Sequence, residues 1–244
     1  MHELTQRQIE ILKSLVEEYI ETADAVGSET LEKKHNLNAS PATIRNEMVG
    51  LTKLGYLKKT HSSSGRVPTP AGMKFYVKQL MKEKELSVAE EVAVKEKLWD
   101  HREKTQDFLK HVTKALADKT KTLAVVTTDE GDYYCCGYSN ILEMPEFFDI
   151  DITKSLFAGM DENDFFFSNL FSKILEGEDI HIFLGEDFGP KFPESYGGVF
   201  ARFKTPMNTI GEVGVLGPVR LNYTQVVPTV RYFGTLIEEL AKGW

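Results

Sequence analysis

The chain has 244 residues, 41% of them hydrophobic, and carries a formal net charge of −8. That apolar content is enough for a buried core, so disorder is not the default expectation, and the length allows one large or two small domains. Apolar runs such as Leu123–Val126 are too short to cross a bilayer, the start MHELTQRQIE has no apolar secretion core, and the only cysteines, Cys135 and Cys136, are adjacent, a placement that rarely closes a disulfide; a soluble cytoplasmic protein is expected.

Thr5 and Gln8 have the spacing of a capping box, and Ile9, Leu12, Leu15, Val16, Tyr19 and Ile20 follow at helical intervals. They predict a first helix from about Gln6 to Thr22. Ser28, after Gly27, is expected to cap a short second helix that reaches about His35 and turns Leu31 inward. Asn38-Ala39 make a turn. Ser40 then supplies a capping hydroxyl and Pro41 the first residue of a third helix, running to about Leu54 with Ile44, Met48 and Leu51 on its buried face. Gly55 stops it. The period then changes: Gly55 to His61 reads as a strand, Ser62 to Gly65 as a flexible tip, and Arg66 to Thr69 as a return strand. Thr69-Pro70 opens a fourth helix with Met73, Tyr76, Val77 and Leu80 on one side. Three helices followed by a basic hairpin describe a winged helix-turn-helix over residues 1–80.

Charge supports that reading. Residues 1–80 hold 11 basic and 9 acidic side chains, a net of +2, and the remainder holds a net of −10. From Lys33 to Lys78 there are nine basic residues and one acid, Glu47. A basic module on an acidic body points to double-stranded DNA as partner. The third helix occupies the place of a recognition helix in the major groove, and Ala42, Thr43, Arg45, Asn46 and Val49 face outward. Arginine suits guanine, asparagine suits adenine, and small apolar groups suit the thymine methyl. Ser40 and the helix start are placed to hold a phosphate. Lys58, Lys59, His61, Ser62 and Arg66 of the wing are offered to the backbone or minor groove, and Lys53 is counted among the DNA-binding residues. Taken singly, Arg45 and Asn46 fit a solvated helix face equally well, and Lys58 and Lys59 fit protection of a strand edge. Helix order, hairpin and charge together favour DNA.

Residues 81–120 read as a helical linker or helical hairpin, with Leu98, Thr105, Leu109, Val112 and Leu116 in a short heptad-like row. Residues 121–244 read as an α+β domain compatible with a GAF-like fold. Strands are expected at Thr122–Thr128, Tyr133–Gly137, Ile180–Leu184, Gly198–Lys204 and Glu212–Leu216, and helices near Glu146–Met160, Asn163–Glu176 and Tyr223–Lys242. Asp129-Glu130-Gly131-Asp132 lacks the spaced ligands of a calcium loop and reads as a surface turn. Asp187-Phe188-Gly189 has no kinase loops around it, and Gly211, Gly214 and Gly217 have the wrong spacing for a dinucleotide fingerprint. The six histidines are dispersed, Cys135 and Cys136 point to opposite faces of a strand, and no metal or cofactor is expected. Phe165–Phe167 divides between core and a partner patch. No nucleophile and base stand together, so an enzyme is not expected.

The same residues resemble a known family, the heat-inducible transcription repressor HrcA. The resemblance rests on LTQRQIEILKSLVEEYIETADAVGSETL, on Ser40 to Met48 (SPATIRNEM) with Gly55-Tyr56-Leu57, and on Ser64 to Thr69 (SGRVPT). Weaker echoes follow at Gly137–Leu142, Pro145–Phe147 and Gly214–Tyr223. It implies a homodimer that binds an inverted-repeat operator of chaperone operons, is inactivated by heat, and regains activity with a GroE-type chaperonin. It also implies a winged helix, a GAF-like domain and an inserted dimerising domain. The sequence departs at the insert, where only Met144 to Glu178 lies between the GAF-like echoes. The alternative from another class is a regulator whose GAF-like domain senses a small molecule.

Overall fold

The computed structural model describes residues 4–60, 65–161, 180–189, 194–206 and 208–241. The chain divides into two compact units, Met1–Lys82 and Glu83–Trp244.

The first unit begins with α1 (Gln6–Thr22), and the Thr5 side chain and Gln8 close the reciprocal capping box. Ile11, Leu12, Leu15 and Val16 form its buried stripe. The second helix, α2 (Ser28–Lys34), starts one residue earlier than the sequence predicts. Gly27 takes the cap position, and Ser28 is buried as the first helical residue instead of capping with its hydroxyl. In α3 (Pro41–Lys53) Ser40 is the N-cap and Ile44, Met48 and Leu51 are buried. Gly55 follows at φ +83°, a left-handed conformation that glycine adopts without strain. Strands β1 (Leu57–Lys59) and β2 (Arg66–Pro68) pair antiparallel, Lys58 opposite Val67 and Lys59 opposite Arg66. Thr69 then caps α4 (Pro70–Phe75), which continues as one π-helical turn to Leu80.

The second unit opens with α5 (Val88–Trp99) and α6 (Thr105–Thr120). The stretch 81–120, which reads as a helical linker or helical hairpin, holds these two helices, and Phe108, Leu109, Val112 and Leu116 are fully buried where α6 packs on the sheet. Five antiparallel strands follow: β3 (Leu123–Thr128), β4 (Tyr133–Cys136), β5 (Ile180–Leu184), β6 (Tyr196–Lys204) and β7 (Ile210–Pro218). Their order is β4-β3-β7-β6-β5. Asp129 to Asp132 make the β3–β4 turn. On one sheet face Leu123, Val125, Phe183, Tyr196, Phe200 and Leu216 pack with Ile141, Phe147, Leu156 and Met160. These last come from α7 (Tyr138–Leu142), a 3-10 turn (Pro145–Phe148) and α8 (Ile150–Asp161). Cys135 packs against this cluster, and burial pushes its thiol up to about 11. The opposite face is covered by α6 and α9 (Tyr223–Leu240). Pro228 lies inside α9, where its missing N–H frees the Thr224 carbonyl. The Lys84 amide donates to that carbonyl at 2.8 Å, so the break in the helical ladder is satisfied. The result is a mixed α+β architecture. The expected helix Asn163–Glu176 and the Phe165–Phe167 patch lie outside the described residues.

Candidate nucleic-acid interface

Helix α3 is fixed from both ends. The Thr43 amide donates to Ser40 Oγ at 3.2 Å, and the Ser40 and Thr43 hydroxyls are 3.0 Å apart. The Ser40 hydroxyl is therefore engaged in the cap. At the other end the Thr52 hydroxyl donates to the Met48 carbonyl at 2.7 Å. With Ile44, Met48 and Leu51 inward, the opposite stripe must face out. Ala42, Arg45, Asn46, Val49 and Lys53 are exposed, and Thr43 is half-buried. Among the described residues no hydrogen bond or ion pair engages the side chain of Arg45, Asn46 or Lys53. The one acid of this region, Glu47, is drawn the other way, because Gln8 Nε2 of α1 donates to its carboxylate at 3.1 Å. The outward face thus keeps its cations and polar groups while its carboxylate is tied to the scaffold.

The helix before it is held by a buried charge. Glu18 of α1 is 4% exposed, accepts from Lys34 Nζ at 2.6 Å, and lies 3.4 Å from His35 Nε2. The Lys34 hydrogen bond holds the Glu18 carboxyl below the usual carboxylate range despite its burial, and His35 adds to the effect. This pair pins the carboxy-terminal end of α2 to α1.

The wing presents Lys58 and Lys59, both exposed, on successive and therefore opposite sides of β1. Arg66 behaves differently from the sequence expectation. Its main chain exchanges two hydrogen bonds of 2.9 Å with Val26, adding a third strand-like segment to the hairpin. Its guanidinium donates from Nε to Thr52 Oγ1 at 3.2 Å and from Nη1 to the Gly65 carbonyl at 3.1 Å. Arg66 therefore braces the wing against α3. His61 and Ser62 lie outside the described residues.

Arg45 and Arg66, twenty-one positions apart, meet around an open cleft of about 210 Å3 that Ser28, Glu29 and Thr30 of α2 and Met48 also line. Lys53, Lys58 and Lys59 are not among its lining residues. Sequence reasoning treated the start of α2 only as a helix cap. The signal was Gly27-Ser28 itself, since the first turn of a helix carries unpaired N–H groups.

Comparison with known proteins meets this geometry. A family model described as a winged helix-turn-helix transcription repressor, HrcA DNA-binding, matches residues 3–82, and one described as HrcA protein C terminal domain matches residues 70–227. The chain belongs to the HrcA family. The heat-inducible transcription repressor HrcA of Clostridioides difficile (strain 630) is 25% identical over 336 positions, covering 96% of this chain and 99% of that protein. Because this chain has 244 residues, at least 92 of those positions have no counterpart here. The HrcA repressor of Geobacter sulfurreducens is 24% identical over the whole of both chains. That of Acetivibrio thermocellus is 41% identical over 127 residues, 52% of this chain and 36% of the relative, so this match spans little more than a third of that protein. A crystal structure titled only as a hypothetical protein shares the fold, with a TM-score of 0.78 at 19% identity over 99% of this chain and 98% of the other. The description of the DNA-binding model names a transcription repressor. Among the described residues no helix is long and apolar enough to cross a membrane.

Proposed function

We propose that this HrcA-family chain represses heat-shock genes by binding an inverted-repeat operator in the cytoplasm as a homodimer, and that heat releases it. The observation that carries this reading is the outward face of α3. Arg45, Asn46 and Ala42 are exposed beside a wing bearing Lys58 and Lys59, and Glu47 is held by Gln8. In the major groove Arg45 reads guanine, Asn46 reads adenine and Ala42 meets a thymine methyl, Ser40, Thr43, Lys53, Lys58, Lys59, His61 and Ser62 serve orientation and phosphate contact, and Arg66 holds the wing against α3. Residues 1–80 are the DNA-binding part and 121–244 the regulatory and dimerising part. Support for pairing comes from α5, where Val88, Val92 and Trp99 are exposed at intervals of one helical stripe.

Selection of bound sites from a random DNA library tests this. An inverted repeat is the expected result, and recovery of no enriched sequence overturns sequence-specific repression. On the selected site Arg45→Ala should cost about 1–3 kcal/mol and leave scrambled DNA nearly unaffected, whereas Lys59→Ala should weaken both and reduce the salt slope by about 1. Equal losses from Arg45→Ala on both DNAs would contradict base reading.

A further inference from the structure

We propose that His101, Asp107 and His111 form a binding site for a divalent metal ion of the zinc class, closing the turn between α5 and α6. Dispersal along the chain conceals this cluster. Asp107 and His111 stand four residues apart, on one face of the first two turns of α6. His101 belongs to the turn that leads out of α5, and it folds back over them. His101 Nδ1 lies 2.9 Å from Asp107 Oδ2, and His111 Nδ1 lies 3.6 Å from Asp107 Oδ1. The two imidazoles stack with centroids 3.4 Å apart and planes within 9°. One donor atom from each of the three residues lies within 4.8 Å of the other two.

These separations suit a metal. Two donors bound about 2.0–2.1 Å from a tetrahedral ion stand roughly 3.3 Å apart. The observed 2.9 Å to Asp107 Oδ2 and 3.6 Å to Asp107 Oδ1 lie on either side of that value, and the two rings need only turn out of their parallel stack for their in-plane lone pairs to converge on one ion. The ion would take the place of the proton between imidazole and carboxylate, and His111 Nδ1 would give up its 2.8 Å bond to the Asp107 carbonyl. Two imidazoles with one carboxylate and no thiolate favour zinc, cobalt or nickel over calcium or magnesium, which take oxygen donors. Three protein ligands leave a fourth position to water. Arg102, next to His101 in sequence, sits 4.0 Å over the Trp99 ring and donates to the Trp99 carbonyl. Both histidines are about one-third exposed, so an ion has access. Binding would tie the α5–α6 turn to α6 and add to the stability of the second unit by mass action.

The test is titration of the chelator-treated full chain with cobalt(II) chloride, read by visible absorption. One equivalent should give a tetrahedral cobalt spectrum that zinc chloride abolishes. Asp107→Asn, His101→Ala and His111→Ala should each weaken binding at least about tenfold, and His35→Ala should change nothing. Zinc should raise the melting temperature of the parent but not of Asp107→Asn, a nearly isosteric change at a half-exposed position that leaves the fold intact. Absence of a cobalt spectrum at one equivalent overturns the proposal. So does a spectrum that survives the His101→Ala/His111→Ala double variant, or an equal zinc-induced rise in Asp107→Asn.

Discussion

Each compact unit contains a glutamate that is 4% exposed, Glu18 in the first and Glu212 in the second, and the two are driven to opposite protonation states. Glu18 meets Lys34 and His35, and its carboxyl is held below the ordinary range. Glu212 lies on β7 opposite Thr127 of β3 and Arg202 of β6. Its Oε2 has no hydrogen-bond partner, and burial pushes its carboxyl up to about 8 against a smaller opposing pull from Arg202. Equal burial therefore gives an ion in one place and a neutral acid in the other. What separates them is a donor within hydrogen-bond reach. The contrast extends to the units as wholes. The first spends its charges on bracing short helices around an outward cationic face. The second keeps an isolated buried acid inside a five-stranded sheet.

The largest expected effect separates the stabilities of the two units. A Cβ on Gly72 of α4 would lie 2.1 Å from the Tyr56 carbonyl oxygen, a backbone atom that cannot rotate aside. Gly72→Val should cost the first unit about 3 kcal/mol or more. Hydrogen exchange of α1 amides reports that loss, while Trp99 fluorescence reports the second unit, which should be unchanged. A matching loss in both would break the division into two units.

The glutamates give the next effect, and its sign differs between units. Glu212 holds a proton in the folded chain that the unfolded chain releases above its ordinary value of 4.5. Its contribution is full below that pH and is lost as the pH rises through about 8. Glu18 is the reverse: its contribution is present above the ordinary carboxylate range and lost as the pH falls through its lowered native value. At pH 8 Glu212→Gln should stabilise the second unit by about 2 kcal/mol and flatten its pH profile between 4.5 and 8. At pH 7 Glu18→Gln should cost the first unit about 1–2 kcal/mol, a deficit that disappears in acid. Urea unfolding across pH measures both. Parallel profiles for the two variants would remove the distinction between paired and lone acid.

Local signals made much of the fold legible. Thr5 with Gln8, Ser40 with Pro41, and Thr69 with Pro70 each fix a helix start through atoms within four residues, and α1 and α3 follow them closely. Signals that depend on distant packing were weaker. The apolar row of α6 reads equally as part of a linker or as a packed helix, because a partner-facing and a sheet-facing helix share one period. The helix expected over Glu146–Met160 is broken before Ile150, where the Thr153 hydroxyl donates to the Phe147 carbonyl and Asp149 Oδ1 accepts from the Asp151 amide. Helix α7 has five residues, too few for periodicity to register. In the candidate interface the outward stripe of α3 followed from the inward one. The bracing of Arg66 did not, since it depends on Val26, forty positions earlier.

Arg66 gives the smallest and most discriminating effect. Sequence groups it with Lys58 and Lys59 as a phosphate contact, but its guanidinium is spent on Thr52 and Gly65. Arg66→Ala should therefore cost the first unit about 1 kcal/mol through lost hydrogen bonds and leave the salt dependence of DNA binding close to that of the parent. Thr52→Val should reproduce part of the stability loss, because it removes one of the two acceptors and keeps the charge. Lys59→Ala should do the converse, lowering the salt slope with little change in stability. If Arg66→Ala lowers the slope as much as Lys59→Ala, the guanidinium leaves Thr52 for a phosphate when DNA is bound, and the inner brace and the outer cationic face become one surface.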